Sequence, residues 1–416
     1  MKLPYGTGEI ECGLSLSQYD LIQYVSAEPL QDPEQSIQGV LKHPIASPPL
    51  SELARGRMNA VILISDLSRL CPSHVLLPYL LDALNDGGVS DDRIEIIVAL
   101  GLHRKQTEDE LRRLTGASYE RVFVSNHSAI SEDCVMVGVT SGGTPIEINR
   151  KVVNADLRIV VGNIEPHRLV GMSGGPKALF PGVASAKSIT KNHSMSQQFK
   201  ATPGDPDNPI HRDLEEAAEL IPIHFLVNVV VNHEKQILGV YGGAWREAHR
   251  CGVELARSLF LVPVAQKYDC VVVSAGGYPK DGQMYQAIKA LENAADMTAD
   301  GGTIVLVARC EEQYGNGTFQ LWTETMPNRS YAVQALKDNF VMGAHKLQHL
   351  DSVFQRFTVY LCSDMPQPIV ELLGFRYINS LHADLPLLVE GKHKKGCIAV
   401  MPFGSITFPK VIHASM

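Results

Sequence analysis

The chain has 416 residues, of which 45% are hydrophobic and 20% are charged, and its formal net charge is -8. This length exceeds what a single hydrophobic core usually supports, so we expect two domains. The negative charge argues against nucleic-acid binding, because no basic excess exists to neutralise a phosphate backbone.

No apolar run approaches the roughly 18 residues that a membrane span requires, and the N-terminus lacks the apolar region of a signal peptide. We therefore predict a cytoplasmic protein with no membrane partner.

The eight cysteines are scattered and form no C-x-x-C pair, which is typical of reduced thiols rather than of disulfides or a cysteine zinc site. Any metal must rely on histidine, carboxylate or groups that a cofactor brings. The basic cluster at residues 392–395 is expected to be a solvated loop.

Short β-branched runs alternate with helical patterns along the chain. Strands are predicted, in chain order, at residues 60–65, 94–100, 158–162, 225–231, 270–274, 303–307, 358–361 and 398–401. Their continuous apolar runs are typical of parallel strands that are covered on both faces. Helices are predicted at residues 74–84, 107–114, 245–259, 285–294 and 331–343. The fold class is therefore α/β, with two domains whose largely parallel sheets are flanked by helices.

A second series of strands and helices begins near residue 270, after the long helix at 245–259. We predict an N-terminal cofactor-binding domain over residues 1–265 and a C-terminal α/β domain over residues 266–395. The last strand is expected to return to the first domain, so that residues 396–416 complete it.

Polar residues follow four of the predicted strands, at the point where each strand ends. Ligands of open α/β sheets bind beyond the carboxyl ends of the strands, so these segments together predict one polar site. The segments are Asp66-Leu67-Ser68-Arg69, Gly101-Leu102-His103-Arg104, Asn163-Ile164-Glu165-Pro166-His167 and Ala275-Gly276-Gly277-Tyr278-Pro279-Lys280-Asp281.

Each of these polar residues also has a structural interpretation. Asp66 has the alternative role of capping the helix that follows Pro72. His103 and His167, taken singly, are more often structural than catalytic. Two histidines that follow separate strands at one sheet edge favour function, because a pair of imidazoles can act as acid and base near neutral pH.

The most distinctive local motif is Gly171-Met172-Ser173-Gly174-Gly175-Pro176-Lys177. Glycines let the backbone approach a phosphate, and a lysine adds a point charge or a nucleophilic amine. Pro176 and Ala178 replace the glycine and hydroxyl of a nucleotide-binding P-loop, which disfavours that class. A plain glycine turn is the alternative.

Tyr285, Gln286 and Lys289 share one edge of a predicted helix. A solvated helix face is the alternative interpretation of that pattern.

These motifs, together with Asn192-His193 and Gly277-Tyr278-Pro279, resemble in this order the nickel-dependent lactate racemase family. The resemblance runs from Asp66 to beyond Lys289. It implies a racemase or epimerase that inverts C2 of a 2-hydroxy acid by hydride transfer. It implies as cofactor a nickel-pincer nucleotide, the nickel complex of pyridinium-3-thioamide-5-thiocarboxylic acid mononucleotide, supplied by cofactor-biosynthesis enzymes.

The resemblance also implies a role for each candidate residue. Lys177 would carry the cofactor covalently, His193 would bind the nickel, and His103 and His167 would exchange protons with the substrate. Arg69, Gln286 and Lys289 would bind the substrate, and the active site would lie in a cleft between the two domains. The remaining cofactor contacts implied are Asp66, Ser68, Ser173, Gly174, Gly175 and Tyr285.

Three departures from lactate-specific members indicate a different substrate pocket. Leu67 stands where they carry a histidine, no tryptophan occurs in residues 340–345, and Arg168 begins a segment where an aromatic pair is common. Arg168 would meet a second carboxylate or hydroxyl groups, which favours malate or a sugar acid such as gluconate, unless it points to solvent.

A lactate racemase proper remains an alternative, as does a non-catalytic carrier of the nickel nucleotide, which would not need both histidines. A histidine-metal hydrolase is disfavoured because no H-x-H or H-E-x-x-H pair occurs. The oligomeric state stays open.

Overall fold

The structure is a computed structural model that describes residues 1–390 and 397–412. The basic cluster at 392–395 therefore lies outside the described residues. The chain forms two compact units. The 26–258 unit consists of Ser26–Ser258, and the two-segment unit combines Met1–Val25 with the described residues from Leu259 onward.

The strands are, in chain order, β1 (Lys2–Tyr5), β2 (Gly8–Glu11), β3 (Asp20–Leu21), β4 (Ala60–Ser65), β5 (Ile94–Ala99), β6 (Phe123–Asn126), β7 (Cys134–Val139), β8 (Pro145–Asn149), β9 (Leu157–Asn163), β10 (Pro166–His167), β11 (Gly171–Met172), β12 (Phe225–Val231), β13 (Ile237–Gly243), β14 (Leu261–Val264), β15 (Tyr268–Ser274), β16 (Thr298–Val307), β17 (Thr358–Cys362), β18 (Arg376–Ile378), β19 (Ile398–Met401) and β20 (Phe408–Val411).

The α-helices are, in chain order, α1 (Pro33–Lys42), α2 (Leu50–Ala54), α3 (Ser73–Asp86), α4 (Glu108–Thr115), α5 (Arg150–Asn154), α6 (Ala186–Ser194), α7 (Pro209–Leu220), α8 (Trp245–Phe260), α9 (Met284–Met297), α10 (Gly317–Thr325), α11 (Arg329–Asp338), α12 (Lys346–Phe354), α13 (Gln367–Leu372) and α14 (Leu381–Glu390). None of the helices in the described ranges is long and apolar enough to cross a membrane.

The 26–258 unit is built on a six-stranded sheet of order β13-β12-β9-β4-β5-β6. Its neighbouring strands are parallel except for β13, which is antiparallel to β12. Ile62, Leu63 and Ile64 of the central strand β4 are fully buried, as expected for a strand covered on both faces. Because β9, β4 and β5 are parallel neighbours, their carboxyl ends meet at one edge of the sheet.

The two-segment unit is built on a second six-stranded sheet of order β18-β17-β16-β15-β19-β3, in which every pair is parallel. Successive residues of β15 point into different clusters: Val271 and Val273 pack with helix α9, whereas Cys270 and Val272 pack on the opposite side. The predicted α/β class with parallel sheets flanked by helices is thus confirmed.

Three sequence predictions need correction. Residues 1–25 were expected to belong to the N-terminal domain, but they are part of the two-segment unit, in which β3 pairs with β19. Residues 396–416 were expected to complete the N-terminal domain, but β19 pairs with β15 and belongs to the second sheet. An apolar strand fits the open edge of either parallel sheet, so its pattern does not indicate which one it joins. The helix predicted at 331–343 ends at Asp338, because Asn339 adopts an extended conformation and Gly343 has a φ of 90°.

Candidate active site

The loops that follow β4, β5 and β9 lie at one sheet edge and carry Asp66, His103 and His167. Two backbone hydrogen bonds connect the His103 loop with the Lys177 loop. The Gly101 N–H donates to the Gly182 carbonyl (2.9 Å), and the Gly182 N–H donates to the Lys177 carbonyl (3.1 Å). The structure therefore brings together the loops that the sequence predicts to form one site in this unit.

Asp66 forms a buried pair with His103. Its Oδ2 lies 3.0 Å from the Nδ1 of His103, and its Oδ1 accepts a hydrogen bond from the Ser68 N–H at 2.7 Å. The alternative in which Asp66 caps a helix is wrong, because α3 has Pro72 at its N-cap and no side-chain cap. Asp66 instead orients the imidazole of His103.

The carboxylate form of Asp66 is favoured by its neighbours. Burial by itself raises the pKa of this carboxyl, but His103, followed by Arg69 and the Ser68 hydrogen bond, holds the pKa below its usual range. Asp66 is thus a carboxylate that only accepts hydrogen bonds, and the His103 Nδ1 must carry the hydrogen between them.

His167 sits in a short hairpin formed by β10 and β11. Its Nδ1 accepts hydrogen bonds from the N–H groups of Leu169 (3.2 Å) and Val170 (3.4 Å). The Val170 carbonyl is in turn held by the Nδ1–H of His211 (3.0 Å) and the side-chain amide of Asn208 (3.2 Å). The orientation of the His167 ring is therefore fixed from the start of helix α7.

The glycine-rich loop is shaped by buried side chains. The Ser173 hydroxyl accepts a hydrogen bond from the Glu165 N–H (2.8 Å) and lies 2.9 Å from the Asn163 carbonyl, to which it donates. The Oδ1 of Asn228 accepts from the Gly175 N–H at 2.7 Å. Gly174 has a φ of 76°, and a Cβ there would lie 2.6 Å from Asn228 Oδ1, so only glycine fits.

Lys177 follows this turn in a short 3-10 helix, Gly175–Ala178, with its N–H donating to the Gly174 carbonyl at 3.2 Å. His249 stabilises the glycine-rich loop, because its Nε2–H donates to the Ser173 carbonyl at 2.9 Å. The rings of His249 and His211 stack with centroids 5.7 Å apart. Burial lowers the pKa of His249 to about 4 and also lowers that of His211, so both are neutral at neutral pH.

His193 lies in the last turn of α6, which begins at the N-cap Ser185. Its Nδ1–H donates to the Ile189 carbonyl at 3.0 Å, so the lone pair of the neutral ring is on Nε2. Metal-binding histidines are commonly held in this way, with one ring nitrogen bonded to a carbonyl. The α6 helix also lies beside the His103 loop, since Ile189 Cδ1 would be 3.9 Å from a Cβ at Gly101.

Two features of the described residues bear on the nickel nucleotide that the sequence resemblance implies. The Ser68 Oγ is buried and has no hydrogen-bond partner in the protein, which suits a polar group of a ligand at this place. Among the described residues, no group of three or more His, Cys, Asp or Glu side chains could hold a metal ion. A single imidazole at His193 therefore fits a metal whose other ligands come from the cofactor.

Tyr285, Gln286 and Lys289 lie on α9 in the two-segment unit. Tyr285 and Gln286 are buried, so the alternative of a fully solvated helix face is wrong, whereas Lys289 is half-buried. The Tyr285 ring packs against Phe319 and His345 at centroid distances of 6.2 and 6.3 Å. The roles predicted for these three residues, and the cleft between domains, stay predictions.

Arg69 and Arg168 are both half-buried. Arg69 lies next to Asp66 in the β4 loop, where its N–H donates to the Asp66 carbonyl at 3.1 Å.

Sequence reasoning missed the residues that support the two loops, namely Asn208, His211, Asn228 and His249. Asn228 had a detectable signal, because it is the one polar residue within the apolar strand β12.

Models of two domains of one protein family match this chain. Residues 5–203 match the model of the lactate racemase N-terminal domain, and residues 264–407 match that of the lactate racemase C-terminal domain. The chain is 35% identical to a lactate racemase of Thermoanaerobacterium thermosaccharolyticum over 294 residues, covering 70% of this chain and 68% of that protein. It is 37% identical to a lactate racemase of Lactiplantibacillus plantarum over 291 residues, covering 69% and 68%.

Two solved structures share the fold. The lactate racemase apoprotein of T. thermosaccharolyticum matches with a TM-score of 0.88 at 28% identity and covers 99% of both chains. A Thermotoga maritima protein matches with a TM-score of 0.72 at 20% identity, covering 94% of this chain and 100% of that one, which shows the fold alone.

Proposed function

The chain belongs to the lactate racemase family, and we propose that it inverts C2 of a 2-hydroxy acid with a lysine-linked nickel-pincer nucleotide. The observation that supports this most is the connection of the Asp66–His103 pair to the Lys177 loop through Gly182. It connects the backbone of the loop that carries His103 with the backbone at Lys177, the residue that would carry the cofactor.

Lys177 would hold the nucleotide covalently, His193 would bind nickel through Nε2, and Ser68 would bond to a polar group of the nucleotide. When bound, this cofactor would supply a hydride acceptor and donor for C2 of the substrate. Gly174 and Gly175 both have a positive φ and shape the turn before Lys177, with their Cβ positions directed at Asn228 and His249 of the protein.

The side chains of this unit would act on the substrate itself. The guanidinium of Arg69 would bind the substrate carboxylate in bidentate fashion, which a lysine cannot do. His103 and His167 would contact the hydroxyl oxygen. Gln286 and Lys289 are proposed to bind further substrate oxygens.

We expect the substrate to be larger than lactate. Arg168 directly follows His167 and is half-buried, and we propose that it meets a second carboxylate or sugar hydroxyls. Residues 340–345 form a turn between α11 and α12 and contain no tryptophan, which is the second departure from lactate-specific members. Malate and gluconate are the two substrates that fit this inference, and lactate is the alternative suggested by the names of the relatives.

The test is chiral chromatography of single-enantiomer malate, gluconate and lactate after incubation with the cofactor-loaded enzyme. The Lys177→Arg variant, produced in the same host, is the matched control. We expect C2 inversion by the wild type, fastest for malate or gluconate, and none by the variant. Inversion of lactate alone would contradict the substrate inference. No inversion of any 2-hydroxy acid by the loaded wild type would contradict the function.

A further inference from the structure

Among residues 191–194, which form the last turn of α6, Asn192 alone is buried. Lys191 is exposed and His193 and Ser194 are half-buried, whereas Asn192 has no exposed surface. The segment that follows, residues 197–200, is exposed as well. A helix of nine residues receives little stability from its own hydrogen bonds, so the position of its last turn depends on what Asn192 contacts.

Asn192 is held by a buried carboxylate on the neighbouring helix α7. Its side-chain amide donates to the Oδ2 of Asp213 at 2.8 Å, and Asp213 is only 2% exposed. The Oδ1 of Asp213 accepts from the hydroxyl of Thr140, which lies in the turn between β7 and β8. Hydrogen bonds to an ionised acceptor are roughly twice as strong as those between neutral groups. The last turn of α6 is thus attached to two other elements at a single carboxylate.

The pair between Asn192 and Asp213 is not arranged for stability alone. The Oδ1 of Asn192 is buried and has no hydrogen-bond partner among the residues that the structure describes. An unpaired buried acceptor costs free energy, and apolar side chains of similar shape would avoid that cost. Stability therefore does not explain an asparagine at this position, whereas the fixed direction of a hydrogen bond from an amide to a carboxylate does.

We propose that Asn192 and Asp213 are positioning residues, whose hydrogen bond holds the last turn of α6 so that His193 lies where it would bind nickel. This inference rests on the proposed function, in which His193 is the nickel ligand of the protein. Metal ligands must be held to within about 0.5 Å of the productive geometry, so the attachment of the adjacent residue can control metal affinity. Asn192 belongs to the motif Asn192-His193, of which the proposed function uses only the histidine.

Helix α7 also supports the hairpin that carries His167. His211 donates to the Val170 carbonyl at 3.0 Å, and Asp213 lies two positions further along the same helix. Residues two apart in a helix point to different sides, so α7 bonds to the hairpin on one side and to α6 on another. The hydrogen bond of Asp213 therefore also sets the position of His193 relative to His167.

Exchanging the two residues tests whether the hydrogen bond itself acts. Asn192→Asp places two carboxylates in contact, whereas Asp213→Asn keeps a weaker bond between neutral amides. The double variant Asn192→Asp/Asp213→Asn restores a bond from an amide to a carboxylate, because the amide at position 213 donates and its oxygen still accepts from Thr140. All variants are produced in a host that makes the cofactor. If Asn192→Asp does not fold, Asp213→Asn and the double variant provide the comparison.

The rate of nickel release from the loaded protein, measured by dialysis against a chelator, is the first readout. We expect release to be about 10–100-fold faster in the single variants and close to the wild-type rate in the double variant. The organic adduct on the Lys177 peptide should be equally abundant in all of them, since the covalent link does not involve His193. Unchanged release in the single variants, or no recovery in the double variant, would overturn the proposal.

Leu84→Ala is the matched control for a general loss of stability. Leu84 is fully buried in α3, a helix that packs with α1, α2 and α4. We expect this variant to lower the urea midpoint but to release nickel at the wild-type rate. Equally fast release from Leu84→Ala and from Asp213→Asn would mean that nickel retention follows overall stability, which would overturn the positioning role.

Hydrogen exchange of the cofactor-free chain separates this inference from the proposed function. We expect the backbone amides of residues 192–196 to exchange faster in Asp213→Asn than in the wild type, and to be protected again in the double variant. Equal exchange in all variants would overturn the attachment of α6. The expected exchange, together with a wild type that acquires no nickel from the host, would instead reject the proposed function and leave the attachment standing.

Discussion

The Oδ2 of Asp66, a residue that is only 5% exposed, lies 3.0 Å from the Nδ1 of His103. This contact fixes both the tautomer and the orientation of the His103 ring. A side chain that keeps the shape of Asp66 but lacks its charge is therefore expected to reduce activity. We predict that Asp66→Asn lowers kcat of the loaded enzyme by about 10²–10⁴-fold with little change in KM. Steady-state kinetics measure the effect.

The matched control for this change is Asp92→Asn. Asp92 is exposed beside the amino end of β5, where its carboxylate accepts a hydrogen bond from the Ser90 hydroxyl. We expect unchanged kinetics in this variant. A small effect of Asp66→Asn, similar to that of the control, would show that the pair does not take part in proton transfer.

Ser68 and Ser173 are predicted to respond in opposite ways to the same substitution. The Ser68 Oγ is buried without a partner in the protein, so Ser68→Ala should leave the free energy of unfolding of the cofactor-free chain unchanged or higher. The Ser173 Oγ bonds to Glu165 and Asn163, so Ser173→Ala should cost about 1–3 kcal/mol.

The complementary measurement is nickel retention of the loaded Ser68→Ala variant during dialysis. We expect faster loss than from the wild type, because the hydroxyl would bond to the nucleotide. Equal retention, or a destabilised cofactor-free Ser68→Ala chain, would mean that the Ser68 hydroxyl contributes to the protein alone.

Gly174 and Gly143 share a φ of 76° but differ in their surroundings. A Cβ at Gly143 meets nothing within 4 Å, whereas one at Gly174 would lie 2.6 Å from Asn228 Oδ1 and 2.8 Å from Ile164 Cγ1. Gly143→Ala should therefore cost only the backbone strain, about 1–2 kcal/mol, and Gly174→Ala clearly more. Urea unfolding measures both, and equal costs would contradict the packing described for the glycine-rich loop.

The stability of the 26–258 unit is predicted to fall in mild acid. Burial lowers the pKa of His249 to about 4, from about 6.5 for an unperturbed histidine. Because the folded-state pKa is depressed, the contribution of His249 is fully present above pH 6.5 and is lost as the pH falls towards 4. Between these pH values, His249 is expected to lower the free energy of unfolding by about 1.4 kcal/mol for each pH unit of acidification.

Trp245 reports on this unit when the other tryptophan is removed by Trp322→Phe. In that background we compare the wild type with His249→Gln, whose amide keeps a donor for the Ser173 carbonyl but does not titrate. The urea midpoint should fall less between pH 7 and 5 in the variant, with the remaining decrease due in part to His211. Identical pH dependence would contradict a neutral, buried His249.

Much of the fold could be predicted from local patterns. The strands β4, β12 and β19 have the predicted bounds, because parallel strands covered on both faces require unbroken apolar runs. Helix α4 begins at the predicted capping box, in which Glu110 accepts from the Thr107 N–H at 2.8 Å. Where β19 would pair could not be predicted, since strand pairing depends on tertiary contacts that an apolar run does not specify.

Only part of the candidate site could be predicted from the sequence. Residues at strand ends and in glycine turns can be identified from the chain order, and these include Asp66, His103 and Lys177. The contact between Asp66 and His103 joins residues 37 positions apart, and its strength comes from burial, which the sequence does not show. His211, which holds the loop of His167, lies within an ordinary amphipathic helix and carries no local signal.

The most direct test is the mass of the peptide that contains Lys177, together with the nickel content, of enzyme purified from a host that makes the cofactor. We expect a nickel-bearing adduct on Lys177 and an unmodified peptide for the exposed Lys187, which pairs with Glu147. An unmodified, nickel-free Lys177 peptide, in a host where another racemase of the family is loaded, would contradict the proposed chemistry.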